Sequence, residues 1–223
     1  MQTTGPLMSI AAVVAAYLLG SLSFAVIVSR VVGLADPRTY GSGNPGATNV
    51  LRSGHKGAAA LTLAFDVLKG YVPVFLALWW REALGFGLAT VALVGLAAFV
   101  GHLWPVFFRF QGGKGVATAA GVLLALNPLL GLATLASFAL IVGFFRYVSL
   151  ASIVAAVFAP FYQMLIWGGG PYLLALVPMS LLLIWRHSAN IRKLLAGTES
   201  RLGQKAAGAG SAAPRQAGKG RRR

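Results

Sequence analysis

The sequence predicts an all-α polytopic membrane protein with seven transmembrane helices. Hydrophobic residues make up 57% of the 223-residue chain and charged residues only 10%, and the mean hydropathy is +0.76. A soluble domain carries roughly a quarter charged residues, so lipid must solvate this much apolar surface. Polar breaks separate the apolar runs, and nearly all basic residues lie in alternate breaks.

Seven apolar runs are predicted to cross the membrane. The first, residues 7–29, has no basic segment before it and is followed by further runs, so we interpret it as a retained helix and not a signal peptide. The remaining runs are residues 58–80, 87–108, 116–126, 128–145, 150–167 and 172–185.

The number of spans depends on whether residues 116–145 form one kinked helix or two. Asn127-Pro128 interrupts this run, and proline suits the first turn of a new helix. One helix gives six spans, with the basic C-terminus opposite the first basic loop. Two helices give seven, with 17 of the 19 Lys/Arg residues, all but Lys69 and Arg81, on one face. The positive-inside rule favours seven, an outside N-terminus and a cytoplasmic C-terminus. The fourth run would rise only about 16 Å, so it must borrow flanking residues or not fully cross.

One membrane domain is predicted for residues 1–195, followed by a disordered basic tail, residues 196–223. The chain has no cysteine and four acidic residues, which excludes thiolate chemistry and disfavours a carboxylate-rich metal site. The formal net charge of +15 fits contact with anionic membrane lipid and binding of phosphate-bearing substrates. Nucleic acid is not expected as a partner, because no soluble domain presents the charge.

Three polar segments on the predicted cytoplasmic face carry residues suited to phosphate binding. In residues 40–52, glycines allow close backbone approach to a ligand and an arginine offers a bidentate guanidinium. The candidate binding residues of this segment are Ser42, Gly43, Asn44, Thr48, Asn49 and Arg52. The second segment, Gly112-Gly113-Lys114-Gly115, places a lysine at a helix start but lacks the Walker A spacing. The third is divided between residues 146–152 and 186–192, where His187 and Asn190 share a helix face.

Each of these segments also has a purely structural interpretation. The first could be an ordinary inter-helix loop, and Lys114 alone could extend to the membrane interface. His55 and His102 fit interfacial histidines outside any site. Asp66 and Lys69, three residues apart inside a span, are predicted to form a structural ion pair, because ionisable groups in lipid need partners.

Five ordered segments resemble the bacterial acyl-phosphate:glycerol-3-phosphate acyltransferases, the PlsY family. They are residues 41–49 (GSGNPGATN), 66–70 (DVLKG), 112–118 (GGKGVAT), 146–152 (RYVSLAS) and 187–190 (HSAN). The resemblance implies a monomeric seven-helix protein of the bacterial inner membrane, with its active site facing the cytoplasm. It implies transfer of a fatty acyl group from acyl phosphate to the sn-1 hydroxyl of glycerol 3-phosphate. The products are lysophosphatidate and phosphate, in the first acylation of phospholipid synthesis.

The resemblance also implies roles for individual residues, and no cofactor or metal. Ser42, Arg52 and Lys114 would bind phosphate, and Asn44 and Asn49 would orient the glycerol or its phosphate. The glycines around the lysine would hold the acyl-phosphate head, and their amides could stabilise the developing oxyanion. The residues implied to be catalytic are Ser42, Lys114, Ser149, His187 and Asn190.

The general base is not evident from the sequence. The His-x4-Asp motif of thioester-using acyltransferases is absent at His55, His102 and His187. An acyl phosphate has a good leaving group, and the substrate's phosphate can accept the proton. Direct, substrate-assisted transfer is therefore predicted, with His187 as a hydrogen-bonding positioner; a covalent acyl-serine at Ser42 or Ser149 is the alternative.

Two other classes of function remain open from sequence alone. An organic-phosphate transporter would suit the broken helices and buried basic groups, but the unusual polar residues gather at one face and not at the midplane. A non-catalytic lipid-binding scaffold would leave the polar segments unexplained.

Overall fold

The computed structural model describes residues 4–204, and this part of the chain is helical without any strand. Its α-helices are α1 (Thr4–Gly20), α2 (Phe24–Val31), α3 (Ala47–Leu51), α4 (Lys56–Trp79), α5 (Arg81–Leu84), α6 (Leu88–Leu103), α7 (Val116–Leu126), α8 (Pro128–Phe145), α9 (Val148–Tyr162), α10 (Leu173–Arg186) and α11 (Ser188–Leu195). A 3-10 turn, Val106–Phe108, follows α6, and a π-helical turn, Gln163–Trp167, continues α9.

Four helical segments are long and apolar enough to cross a membrane: Lys56–Trp79, Leu88–Phe108, Pro128–Phe145 and Val148–Trp167. Two bent pairs raise the number to six if each pair is one span. α1 and α2 are bent by 44°, and α10 and α11 by 55°. α7 is apolar but has only 11 residues. By length, residues 4–204 thus offer four to six spans, and the seventh span and the orientation stay predictions.

The predicted boundary at Asn127-Pro128 is confirmed, because α7 and α8 are separate helices. The Asn127 side chain caps α8 by accepting hydrogen bonds from the backbone N–H groups of Leu129 and Leu130, at 3.0 and 3.2 Å. Pro128 occupies the first turn, where its missing N–H costs nothing. An asparagine cap followed by proline therefore starts a new helix here.

The first apolar run, expected to be one helix over residues 7–29, is broken between α1 and α2. The break leaves the carbonyl of Leu22 outside a helix, and the Lys69 ammonium donates to it at 2.7 Å. Lys69 also pairs with Asp66 at 2.8 Å, with both side chains at most 3% exposed. The predicted intramembrane ion pair is thus present, and it supports the break. The imidazole Nδ1 of His102 lies 3.6 Å from the same carboxylate.

Small residues let neighbouring helices approach until their backbones touch. At the contact between α4 and α7, a Cβ on Gly70 would strike the carbonyl of Thr118, and one on Gly121 would strike the carbonyl of Val67. α1 and α6 contact each other in the same reciprocal way. Close packing at small residues is how helices associate where lipid removes the hydrophobic driving force. It holds α7, and the loop before it, firmly against the bundle.

The outer surface of the bundle is apolar, as lipid contact requires. On α8, Leu140 is 60% exposed and Phe144 is 81% exposed. The interior contains fully buried side chains such as Phe99, Leu103 and Leu130. A helical bundle with large apolar groups on both its inner and outer faces is embedded in a membrane.

Candidate active site

The first polar loop, which joins α2 to α3, is folded around Asn49. The Asn49 Oδ1 accepts the backbone N–H of Ser42 at 2.9 Å, and its Nδ2 donates to the carbonyls of Pro37 and Tyr40 at 2.6 and 3.1 Å. The side chain is buried, with the residue 2% exposed. These bonds fit a role in shaping the loop, whereas contact between Asn49 and the glycerol stays a prediction.

The other predicted residues of this loop and of α3 lie near the protein surface. Ser42, Gly43 and Thr48 are exposed, and Asn44 is partly buried. Arg52 follows α3, and its guanidinium donates to the hydroxyl of Ser200 at 3.2 Å. The loop therefore presents donors outward while its own shape is fixed from inside.

The glycine-rich segment lies directly on α6. The N–H of Gly113 donates to the carbonyl of His102 at 3.2 Å, and a Cβ there would strike the His102 ring. Gly115 has φ +84°, in the left-handed region, and a Cβ on it would strike the ring of Phe99. Glycine is therefore required at both positions, and together they fix the path of Lys114 at the start of α7. Because the Gly113 amide is already bonded, it is not available to the predicted oxyanion.

Arg186, the last residue of α10, holds this segment from the other side. Its Nη2 donates to the carbonyls of Gly112 and Gly113 at 2.8 and 2.9 Å, and its Nε donates to that of Gly113 at 3.1 Å. Three hydrogen bonds from one guanidinium connect the end of α10 to the loop before α7. Arg186 was not among the predicted site residues.

Lys114, Ser149 and Asn190 come together from three separate predicted segments. The Lys114 Nζ donates to the Asn190 Oδ1 at 2.5 Å. The Asn190 Nδ2 donates to Glu199 Oε1 at 2.7 Å, and the Ser149 hydroxyl donates to the same oxygen at 2.6 Å. The carboxylate comes from the region predicted to be a disordered tail. Residues 196–204 of that region are described and contact the site, and residues 205–223 lie outside the described part.

His187 lies in the break after α10 and is 2% exposed. Its Nδ1 is 2.8 Å from the carbonyl of Leu183, which can only accept, so Nδ1 carries the proton and the neutral ring keeps an acceptor at Nε2. Burial, together with the positive charge of Lys114, lowers the pKa of His187 to about 4. The imidazole is therefore neutral at physiological pH.

Positive charge is in excess around Lys114. Burial lowers the pKa of the Lys114 ammonium to about 8, with the Glu199 carboxylate opposing the effect. The cations that contribute to this lowering are Arg52, Arg186 and Lys193. Several cations near one carboxylate leave a net positive field, which suits a ligand that carries phosphate.

A cavity of about 340 Å³ lies between the first polar loop and the glycine-rich segment. Its lining residues are Arg38, Gly43, Pro45, Phe110, Gln111, Gly112 and Arg186. Gly43 and Gly112 are the predicted site residues in this lining, so the cavity is where the two loops meet.

The relationships of the chain to known proteins decide its family. Residues 10–197 match the family model described as glycerol-3-phosphate acyltransferase. The chain belongs to this family. Three relatives named glycerol-3-phosphate acyltransferase come from Ralstonia nicotianae (65% identical, covering 86% of this chain and 93% of the relative), Albidiferax ferrireducens (61%, 92% and 93%) and Burkholderia pseudomallei K96243 (61%, 87% and 95%).

Two solved structures share the fold of this glycerol-3-phosphate acyltransferase. Both are crystal structures of PlsY (YgiH), an integral membrane glycerol 3-phosphate acyltransferase. The glycerol 3-phosphate form is 39% identical with a TM-score of 0.82, and the lysophosphatidic acid form is 38% identical with a TM-score of 0.80. Each match covers 88% of this chain and 96% of the other. The predicted membership of the PlsY family is confirmed, and with it an acyltransferase activity in phospholipid synthesis.

The structure of this acyltransferase adds residues that sequence reasoning missed. Glu199 and Arg186 both contact predicted site residues, and His102 lies under the glycine-rich segment. The available signal for Glu199 was its isolation, since it is the only acidic residue after Glu82. Its surroundings of glycine, alanine and basic residues concealed that signal.

Proposed function

We propose that this glycerol-3-phosphate acyltransferase takes its acyl group from acyl phosphate and transfers it directly to the sn-1 hydroxyl, giving lysophosphatidate and phosphate. The observation that carries the proposal is the convergence of Lys114, Asn190 and Ser149 in a field of excess positive charge. Both proposed substrates are anionic phosphates, and one site must hold two of them. Several cations with one carboxylate can offset the negative charge of two phosphates.

In the proposed reaction, the glycerol hydroxyl oxygen attacks the carbonyl carbon of the acyl phosphate. The new ester C–O bond forms as the C–O bond to the leaving phosphate breaks, and the hydroxyl proton passes to a substrate phosphate oxygen. Lys114 and Arg52 offset the negative charge on the phosphates, and the ammonium of Lys114 stabilises the charge that develops at the carbonyl. Ser42, Gly43 and Asn44 of the first polar loop, together with Thr48 of α3, are proposed to hold a phosphate.

His187 is proposed to position the attacking hydroxyl and not to deprotonate it. A general base works best when its pKa is near the operating pH, and the pKa of His187 is about 4. The neutral ring offers Nε2 as a hydrogen-bond acceptor, which can orient a hydroxyl without taking its proton. The substrate phosphate then remains the proton acceptor.

The test is lysophosphatidate formation by the purified protein in lipid, with acyl phosphate, acyl-CoA and acyl carrier protein compared as donors. We expect product from acyl phosphate alone, and positional analysis should find the acyl group at sn-1. Transfer from either thioester at a comparable rate would overturn the donor assignment. Recovery of a labelled acyl-serine without glycerol 3-phosphate would overturn direct transfer.

We further propose that the protein is a monomer of the bacterial inner membrane, with its site on the cytoplasmic face. The absence of cysteine from the sequence makes single-cysteine labelling straightforward. In right-side-out spheroplasts, an impermeant maleimide should label Glu82→Cys at once and His55→Cys only after permeabilisation. Equal labelling of the two variants in intact spheroplasts would contradict the orientation.

A further inference from the structure

The chain after α11 turns back over the predicted site. The Leu202 N–H donates to the carbonyl of Arg146 at 2.6 Å, and the guanidinium of Arg146 donates to the carbonyl of Leu202 at 2.9 Å. Arg52 donates to the Ser200 hydroxyl. Residues 198–204 are thus bound to the break between α8 and α9 and to the end of α3. These contacts place the Glu199 carboxylate next to the predicted site residues Ser149 and Asn190.

The carboxylate of Glu199 sets the orientation of two polar side chains. Its Oε1 accepts from the Asn190 amide nitrogen, so the amide oxygen points at the Lys114 ammonium. The opposite amide orientation would place N–H groups against the ammonium and oxygen against the carboxylate, and both contacts are repulsive. The same Oε1 accepts a hydrogen bond from the Ser149 hydroxyl, so the lone pairs of that hydroxyl point away from the carboxylate.

We propose that Glu199 is a positioning residue for acyl transfer, which orients the Asn190 amide towards Lys114 and fixes the direction of the Ser149 hydroxyl. Its carboxylate also offsets the cations around the partly buried Lys114 ammonium. This inference rests on the proposed site, because Glu199 acts through these three residues and not on the substrates. Ser149 is left as a hydrogen-bond acceptor for the hydroxyl of glycerol 3-phosphate that does not attack. Lys114 is left as a cation for phosphate.

The charged environment of Lys114 gives this inference a signature in pH. The other titratable or charged groups that face the ammonium are Arg52, Arg186, His187, Lys193 and Glu199. Among the charged groups of residues 4–204 that shift the pKa of Lys114, Glu199 alone raises it, and the cations and burial lower it. Removal of the carboxylate must therefore lower the pKa of Lys114 below about 8. As pH rises, activity that requires the ammonium would then be lost at a lower pH than in the wild-type enzyme.

The experiment compares the pH dependence of kcat/KM for Glu199→Gln, Glu199→Asp and Glu199→Ala in lipid, with Glu82→Gln as the control. Glutamine keeps the oxygen that accepts both hydrogen bonds and removes the charge. We expect its alkaline limb to move to lower pH by about one unit. Aspartate keeps the charge but lacks the reach, so kcat should fall while the limb moves little. Alanine should show both effects, and Glu82→Gln neither.

The outcomes separate this inference from the proposed site and from a purely structural role. An alkaline limb of Glu199→Gln that coincides with wild type, in folded protein, overturns the inference. Loss of activity in proportion to the folded fraction, at every pH and in every variant, does the same. If Glu199→Ala does not fold, the glutamine and aspartate pair still decides. Full activity of Lys114→Ala would instead overturn the proposed site itself.

Discussion

Two groups of charged side chains in this enzyme are built in opposite ways. Inside the bundle, Asp66 and Lys69 form a pair of matched charges, almost fully buried, and the lysine also holds the Leu22 carbonyl. At the candidate site, Lys114 shares a single carboxylate, Glu199, with several other cations. The first group is a complete pair, because its two charges cancel, whereas the second group keeps an excess of positive charge. A complete pair serves the fold, and an incomplete group is suited to an anionic ligand.

The largest effect is expected from breaking the complete pair. Asp66→Asn leaves the buried Lys69 ammonium uncompensated, and we expect a loss of about 3–5 kcal/mol in the free energy of unfolding. Thermal unfolding in detergent, followed by loss of folded protein in gel filtration, measures it. Asp66→Leu with Lys69→Met should recover part of the loss, limited by the unpaired Leu22 carbonyl. An Asp66→Asn protein as stable as wild type would contradict the comparison.

The next effect should fall on chemistry and leave the fold intact. Lys114→Ala removes the ammonium that faces the proposed phosphates, and we expect kcat/KM to fall by about 100- to 1,000-fold. Lys193→Ala, which removes another cation near the site, serves as the matched control and should change kcat/KM only a few-fold. The melting temperature of both variants should stay within a few degrees of wild type. Similar losses in the two variants would mean that net charge, and not Lys114 itself, is what matters.

A smaller effect is expected at His187. If the imidazole only accepts a hydrogen bond, His187→Gln should lower kcat by about 10-fold or less. Complete loss of turnover with normal glycerol 3-phosphate binding would contradict this role and indicate that His187 is the general base. An acidic limb at about pH 6 would report the second ionisation of the substrate phosphate, and it should persist in His187→Gln, because the pKa of His187 is about 4. As pH falls from about 6.5 to about 4, the unfolded state takes up the proton first, so stability should decrease over that window.

The smallest effect is expected at the surface pair of Asp36 and Arg38, whose side chains are 29% and 25% exposed. The Arg38 guanidinium lowers the pKa of Asp36, so the pair stabilises the protein at neutral pH and loses that contribution as pH falls through the lowered pKa. We expect Asp36→Asn to cost less than about 1 kcal/mol, and less still at high salt. Unfolding at two salt concentrations measures both points. A cost as large as that of Asp66→Asn would remove the distinction between buried and exposed pairs.

The sequence predicted those parts of the structure that local chemistry controls. Asparagine is a favoured N-cap and proline suits the first helical turn, as at Asn127-Pro128. The three-residue spacing of Asp66 and Lys69 places them on one helix face. The break after Gly20 could not be read in the same way, because the group that compensates for it, Lys69, comes from another helix. Such a contact joins residues 47 positions apart.

The candidate site shows the same division. Glycines and basic residues identified the segments that carry Lys114, Asn190 and Ser149, and the structure brings these three side chains together. Composition assigned Glu199 to a disordered tail, yet its position depends on contacts with residues 9 and 50 positions away. Composition describes how a segment behaves alone, and it carries no information on a surface that the segment meets only after folding.

The shortness of α7 has a kinetic consequence. Eleven residues rise about 16 Å, about half the hydrocarbon thickness of a bilayer, so both ends of α7 cannot reach the two membrane surfaces. If the Leu126 end of α7 lies near the membrane surface opposite the candidate site, Lys114 lies below the lipid headgroups on the site's own side. Its ammonium is then within reach of the carbonyl at the head of an acyl chain that is dissolved in the bilayer. A donor of this kind would never have to leave the lipid. Its effective concentration would be a mole fraction in the membrane. At saturating glycerol 3-phosphate, dilution with inert lipid would then slow the enzyme while dilution with water would not.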